Sequence, residues 1–155
     1  MDPNVITPEW EPGAPPGLRG ARVAAAAGAT ELGATVYELD PGAAVSPYHL
    51  HHGNEELLVV LSGRVVVRTP DGTRELEPGA VVAFPRGPDG AHNVAAGTEP
   101  ARVLLISTMN YPEIAEYPDT GATLAMTGPG QGKAFPGGSE RPYRELVAEA
   151  RSRTS

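Results

Sequence analysis

The apolar residues of this chain gather in short runs broken by glycine and proline, a pattern that fits strands better than helices. Ala34 to Leu39 reads as a strand ending at a Pro41-Gly42 turn. Leu57 to Leu61 is apolar on both faces, as a strand buried between two layers would be. If Glu56 points inward, Leu58 and Val60 do too, while Leu57, Val59 and Leu61 face outward under a cover. Arg64 to Arg68, Thr73 to Leu76, Ala80 to Phe84, Asn93 to Ala96 and Ala101 to Met109 follow as further strands. Ser62-Gly63, Pro70-Asp71-Gly72 and Glu77-Pro78-Gly79 separate the first of these as turns. A spacing of roughly eight to twelve residues predicts an antiparallel, all-β sandwich or barrel.

The flanks read differently. Residues 1 to 20 hold five prolines and three glycines around Trp10, which predicts an extended arm anchored by that aromatic. Arg22 to Gly28 reads as a helical turn or an edge strand, and the bracketing Gly20 and Gly28 favour the strand. Past Met109, Pro112 and Pro118 interrupt the pattern, and Thr127 to Ser139 reads as a flexible or lid-like segment. Arg141 to Arg153 then places Tyr143, Leu146, Val147 and Ala150 at helical spacing, predicting a short amphipathic helix that needs something to dock on. The chain thus divides into an arm at 1–20, an all-β body at 21–110 and a tail with a short helix at 111–155.

Composition narrows the function classes. The 155 residues suit one domain, and 19 glycines with 17 prolines suit many short strands joined by tight turns. There is no cysteine, hence no disulfide framework, thiolate ligand or cysteine nucleophile. A net charge of −7 argues against nucleic-acid binding. No run approaches the length of a membrane span, and the N-terminus lacks the basic and apolar regions of a signal peptide, so a cytoplasmic protein is expected. Two motif-like stretches drop out. Asp119-Thr120-Gly121-Ala122 copies the aspartic-protease tetrad, but Pro118 precedes it where an apolar central strand is needed, so a turn is expected. Gly128 to Lys133 approaches a phosphate loop with the wrong spacing, and Ala134 stands where Ser or Thr belongs.

Candidate chemistry concentrates in one place. Three of the four histidines, His49, His51 and His52, fall within four residues, and Glu55 and Glu56 follow. Side chains two apart on a strand share a face, with Cα atoms roughly 6.6 Å apart. His49 and His51 can therefore aim both imidazoles at one point. Glu56 lies at an odd offset from His51, and a hairpin at His52-Gly53-Asn54 is expected to reset the parity, since Gly and Asn tolerate left-handed turns. Two imidazoles and a carboxylate without a thiolate suit a borderline divalent metal. His52, in the turn and at odd parity, is assigned a supporting or solvent-facing role.

The order Gly42, His49, His51, Glu56, Gly63, followed by Gly79, Pro85, Gly87 and His92, resembles the two motifs of the cupin superfamily, G-x5-H-x-H-x3-4-E-x6-G and G-x5-P-x-G-x2-H-x3-N. The likeness covers roughly residues 30 to 110 and is nearest to single-barrel bacterial cupins of uncharacterised function with a YHxHH-x-NEE segment. This chain departs from the pattern by one extra residue between Gly42 and His49, two between Gly87 and His92, and Ala96 in place of Asn. The resemblance implies an antiparallel double-stranded β-helix, or jelly-roll, barrel. It also implies one divalent transition metal (Fe, Mn, Zn, Ni, Co or Cu) held by His49, His51, Glu56 and His92. For His92 to ligate, the longer loop Pro85 to Ala91 must bulge outward, turned by Gly87 and Gly90.

Dioxygenases, isomerases, decarboxylases and hydrolases all use this barrel. The resemblance therefore implies a metal-dependent enzyme, an oxidoreductase, isomerase or lyase, acting on a small oxygen-containing metabolite. A non-catalytic binding or sensing barrel is the alternative. The pocket wall is expected to be mostly Val, Leu, Ala and Phe84, with Tyr37, Tyr48 and Arg86 as the nearest candidates for a base. The outward apolar faces of Leu57 to Leu61 and Val103 to Ile106 need cover, which together with the family's habit predicts a homodimer.

Overall fold

The runs read from the sequence become strands among residues 2–153, the part of the chain that the computed structural model describes. In chain order they are β1 (Leu18–Ala21), the helical turn α1 (Val23–Ala26), β2 (Gly33–Leu39), β3 (Leu50–His51), β4 (Glu56–Ser62), β5 (Val65–Thr69), β6 (Gly72–Leu76), β7 (Val81–Phe84), β8 (Asn93–Ala96), β9 (Ala101–Ser107), β10 (Glu113–Tyr117), β11 (Ala122–Gly128), β12 (Gln131–Phe135) and helix α2 (Tyr143–Arg153).

One layer is a five-stranded antiparallel sheet in the order β1-β2-β9-β4-β7. Opposite it lies β6-β5-β8, which residues 43–49 extend through Val45 N–H to Val94 O (2.9 Å) and Ala96 N–H to Ala43 O (2.8 Å). The same run leads into β3, which joins a third sheet in the order β12-β11-β10-β3. Leu58, Val60 and Val103 from the first layer meet Val65, Val67 and Val94 from the second, each no more than 1% exposed. Leu58 and Val60 thus face the core as the alternation requires, and Leu57, Val59 and Leu61 lie half-buried on the outer side.

The N-terminal arm lies against the outside of the five-stranded sheet. Trp10 sits near the guanidinium groups of Arg19 (4.8 Å) and Arg102 (5.4 Å), a pair of cation–π contacts. Glu11 pairs with Arg22 and its N–H reaches Gly20 O at 2.9 Å.

Several expectations are corrected. Arg22 to Gly28 is not an edge strand: β1 ends at Ala21, and the alanines that follow form α1. Alanine is the strongest helix former, and a compact turn is what reverses the chain between the antiparallel partners β1 and β2. The segment after Met109 is not loose, because β10, β11 and β12 form consecutive antiparallel pairs and Thr127 to Ser139 contains the last turn and β12. Pro112 and Pro118 stand just outside β10, where a missing N–H interrupts no ladder. Asp119-Thr120-Gly121 is a turn, as expected, and Asp119 grips Arg68 with both oxygens at 2.7 and 2.9 Å. Helix α2 forms where the periodicity puts it, but none of its residues is buried and Tyr143 is 81% exposed. No helix among the described residues is long and apolar enough to cross a membrane.

Candidate metal centre

Antiparallel register brings the histidines together. His49 and His92 stand directly opposite one another and exchange both backbone bonds, His49 N–H to His92 O (3.0 Å) and His92 N–H to His49 O (2.8 Å). Residues so paired project from the same face, and His51, two positions on, shares it. Glu56 enters from the opposite layer at the start of β4, level with Phe84 and Ser107. One ligand atom each from His49, His51 and Glu56 lies within 4.8 Å of the others. His92 Nε2 approaches the same carboxylate, 3.1 Å from Glu56 Oε2, and its ring stacks on Phe84 at 3.8 Å.

The parity between His51 and Glu56 is reset, but not by a hairpin. β3 pairs with β10 and β4 with β7 and β9, so the chain changes layers across residues 52–55. Buried Asn54 pins that crossing. Its Oδ1 accepts Asn110 N–H (2.6 Å) and the Thr108 hydroxyl (3.1 Å), and its Nδ2 donates to Asn110 O (3.2 Å) and Glu113 Oε2 (2.5 Å). Gly53 does not adopt a left-handed conformation. It is needed for room, because a Cβ there would strike the Glu113 carboxylate. The longer loop before His92 is absorbed by a left-handed Gly87 (φ 81°) and a 3-10 turn over Pro88–Gly90, and Gly87 N–H ties it to His51 O at 2.7 Å. Gly90 ends that turn, as expected, and is needed for room, because a Cβ there would strike Pro85 O.

All three imidazoles give Nδ1 to an acceptor: His49 to Pro47 O (2.9 Å), His92 to Gly90 O (2.8 Å) and His51 to Glu113 Oε1 (3.2 Å). Carbonyls and carboxylates only accept, so in the neutral rings Nδ1 carries the proton and Nε2 is a bare lone pair. His51 Nε2 is buried without a hydrogen-bond partner, and Glu56 Oε2 lies 3.5 Å away. A carboxylate facing bare nitrogens is an arrangement that a divalent cation satisfies, so the residues present fit a metal. Burial, with His92 and His51 nearby, lowers the His49 pKa to about 4 and keeps it neutral. Burial also pulls His51 down, but Glu56 and Glu113 on its two sides outweigh it and raise its pKa. Burial opposes ionisation of Glu56, but the neighbouring His51 and His92 imidazoles outweigh it and hold the carboxyl below the usual range.

These groups open on a cavity of about 290 Å³. Its wall is more polar than expected: Thr35, Ser46, Ser107, Tyr37 and Tyr111 stand beside Leu105, Met109 and Met126. Phe84 lies behind His92 and does not line the cavity. Of the three candidates for a base only Tyr37 reaches the wall; Tyr48 lies under the Arg68 guanidinium (3.9 Å) and Arg86 is exposed. His52 turns to the exterior and pairs with Glu116 at 2.8 Å. The sequence reading missed Glu113, whose side chain is fully buried against His51. No local signal marked it: burial alternates along Glu113-Ile114-Ala115-Glu116-Tyr117 but polarity does not, and the apolar Ile114 faces out while Glu113 faces in.

Comparison with known proteins agrees with this architecture. No curated protein matches the chain. A sugar phosphate isomerase of the cupin superfamily from Silicibacter pomeroyi has 28% identity and a TM-score of 0.72 over 83% of this chain and 82% of its own. A candidate sugar phosphate isomerase from Acidithiobacillus ferrooxidans has 26% identity and a TM-score of 0.73 over 82% of this chain and 81% of its own. The polyketide cyclase RemF from Streptomyces resistomycificus has 26% identity and a TM-score of 0.55 over 68% of this chain and 77% of its own. Residues 35–107 match the family model of the cupin domain. With paired antiparallel sheets around a histidine-lined cavity and this match across their centre, residues 35–107 are a cupin domain.

Proposed function

We propose that the chain is a mononuclear metal-dependent isomerase that interconverts a small hydroxy-aldehyde and the corresponding hydroxy-ketone. The observation that carries this reading is the convergence of His49, His51 and Glu56 donor atoms within 4.8 Å, at a cavity whose lining includes Thr35, Tyr37, Ser46, Ser107 and Tyr111 beside apolar Val45, Leu105, Met109 and Met126. Two similar structures named for sugar phosphate isomerisation, aligned over more than four-fifths of the chain, support it. His49, His51, Glu56 and His92 would hold a divalent ion, which would supply the positive charge that polarises a carbonyl and its neighbouring hydroxyl. Thr35, Ser46 and Ser107 line the cavity and would orient the substrate's hydroxyls. Burial raises the pKa of Tyr37, so its phenol keeps its proton at neutral pH and can donate it to a substrate oxygen. The reaction is redox-neutral: one proton leaves the hydroxyl-bearing carbon, one arrives at the carbonyl carbon, and one crosses between the two oxygens.

Although both neighbours are named for phosphorylated sugars, no Lys or Arg is among the described residues lining this cavity. The substrate assigned here is accordingly the non-phosphorylated hydroxy-carbonyl compound. Protein loaded in turn with Mn²⁺, Fe²⁺, Ni²⁺ and Zn²⁺, incubated in heavy water with short aldoses and ketoses and their phosphates, tests this. Deuterium should appear beside the carbonyl of the unphosphorylated sugars, and metal content should vanish in His49→Ala/His51→Ala. Binding without exchange would make the chain a non-catalytic binding barrel instead. The reading includes a homodimer through the outer faces of Leu57 to Leu61 and Val103 to Ile106, where Leu57, Val59, Leu61, Leu104 and Ile106 are half-buried in the single chain. Light scattering that returned a mass near the 16.1 kDa monomer would remove the dimer.

A further inference from the structure

Glu113 is a fully buried acid that the ligand set does not use. It sits on β10, beyond the 35–107 segment that defines the domain match, two residues before Ala115, which pairs with His51. Three donors converge on its carboxylate. Oε1 accepts from His51 Nδ1 at 3.2 Å, while Oε2 accepts Gly53 N–H at 3.0 Å and Asn54 Nδ2 at 2.5 Å. Asn54 cannot turn its amide around, because its oxygen is already held by Asn110 N–H and the Thr108 hydroxyl.

We propose that Glu113 is the positioning residue of the metal centre: it fixes His51 as the Nδ1–H tautomer and holds the ring so that Nε2 faces Glu56. Only a group with acceptors on both sides fits between these donors. A glutamine of nearly the same shape would have to point its NH₂ either at Gly53 and Asn54, both donors, or at His51 Nδ1. The second choice is relieved simply by moving the His51 proton to Nε2, where it would block the metal. The tail of the chain thereby becomes part of the site, since β10, the strand between β3 and β11 in the third sheet, also sets the tautomer of a ligand in the motif segment.

This inference rests on the metal reading of the site and not on the reaction proposed above. Long-range ¹H–¹⁵N spectra of metal-free protein labelled at histidine, at a pH where His51 is neutral, report its tautomer, and calorimetry with Zn²⁺ reports affinity. Wild type should show Nδ1–H at His51. Glu113→Gln should show Nε2–H, a metal-free melting temperature close to wild type, and Zn²⁺ affinity lower by about 10–100-fold. An Nε2–H tautomer in wild type would overturn the proposal, as would a variant with unchanged tautomer and unchanged Zn²⁺ affinity. Should the variant not fold, the wild-type spectrum decides alone. Should wild type bind no Zn²⁺, the metal reading fails, while the tautomer comparison still decides what Glu113 does.

Discussion

At one end of the barrel, Leu39, Val60, Val65 and Val103 fill the space between the layers, each no more than 1% exposed. At the other end, the same strands surround His49, His51, His92 and Glu56 and leave a cavity of about 290 Å³. Strand β4 shows the change most directly: Glu56, Leu58 and Val60 share a face, yet the first belongs to the cavity and the other two to the core. At the dry end each side chain gains by displacing water and touching its neighbours, so shape decides the residue. At the wet end burial works against the imidazoles and the carboxylate, and each is tolerated only because a specific partner satisfies it. Pro47 O, Gly90 O and Glu113 serve the three Nδ1 atoms, and the His51 Nε2 lone pair is left over. One end stores stability, and the other gives some up to keep a lone pair available.

The largest expected effect comes from cutting the dry end. Leu39→Ala should cost about 2–5 kcal/mol in denaturant unfolding, the usual range for a buried leucine that leaves a cavity. It should leave Zn²⁺ stoichiometry and affinity unchanged. Leu39 lies six residues along β2 from Gly33, which pairs with Ser107 at the level of Glu56. That is about 20 Å of extended strand, beyond the reach of direct coupling. A Leu39→Ala protein that loses Zn²⁺ would show that the two ends are one cooperative unit and break the comparison.

The next effect comes from filling the wet end. Zn²⁺ at about 100 times its dissociation constant should add about 2.7 kcal/mol to unfolding of wild type. Leu39→Ala should gain the same increment, and His49→Ala/His51→Ala none. Unequal increments in the first two would show that core packing tunes the site. A full increment in the double variant would remove His49 and His51 from the ligand set.

The two ends also differ in how well the sequence speaks for them. The dry end follows from local pattern, because alternation and glycine–proline turns define β2 and β4 to β9 within a residue or two. His49 and His51 were legible for the same reason, since a shared face needs only parity. What placed Glu56 beside them was not local. Residues 52–55 cross between sheets instead of folding into a hairpin, and Asn54 is pinned there by Thr108, Asn110 and Glu113, more than fifty residues away. Nothing near Gly53 in sequence distinguishes a glycine needed for φ from one needed to clear a distant carboxylate. The tail misled for a related reason. Pro112 and Pro118 read as interruptions, whereas they bound a strand whose partner is β3.

The smallest effect sharpens the boundary of the wet end. His52 has the same side chain as its neighbour His51 and differs only in parity, yet it points outward and pairs with Glu116 across β3 and β10. Both partners are about half exposed, so water screens the pair. Its backbone N–H, bonded to Ile114 O at 2.9 Å, does not depend on the side chain. His52→Ala should therefore cost less than about 1 kcal/mol in unfolding and leave Zn²⁺ affinity as in wild type. Set beside His51→Ala, which removes the orphaned Nε2, it isolates facing direction as the variable while residue type and position in the chain barely change. A His52→Ala protein that binds Zn²⁺ more weakly would mean that the ligand face extends around the turn, and that parity along β3 does not decide which histidine serves the metal.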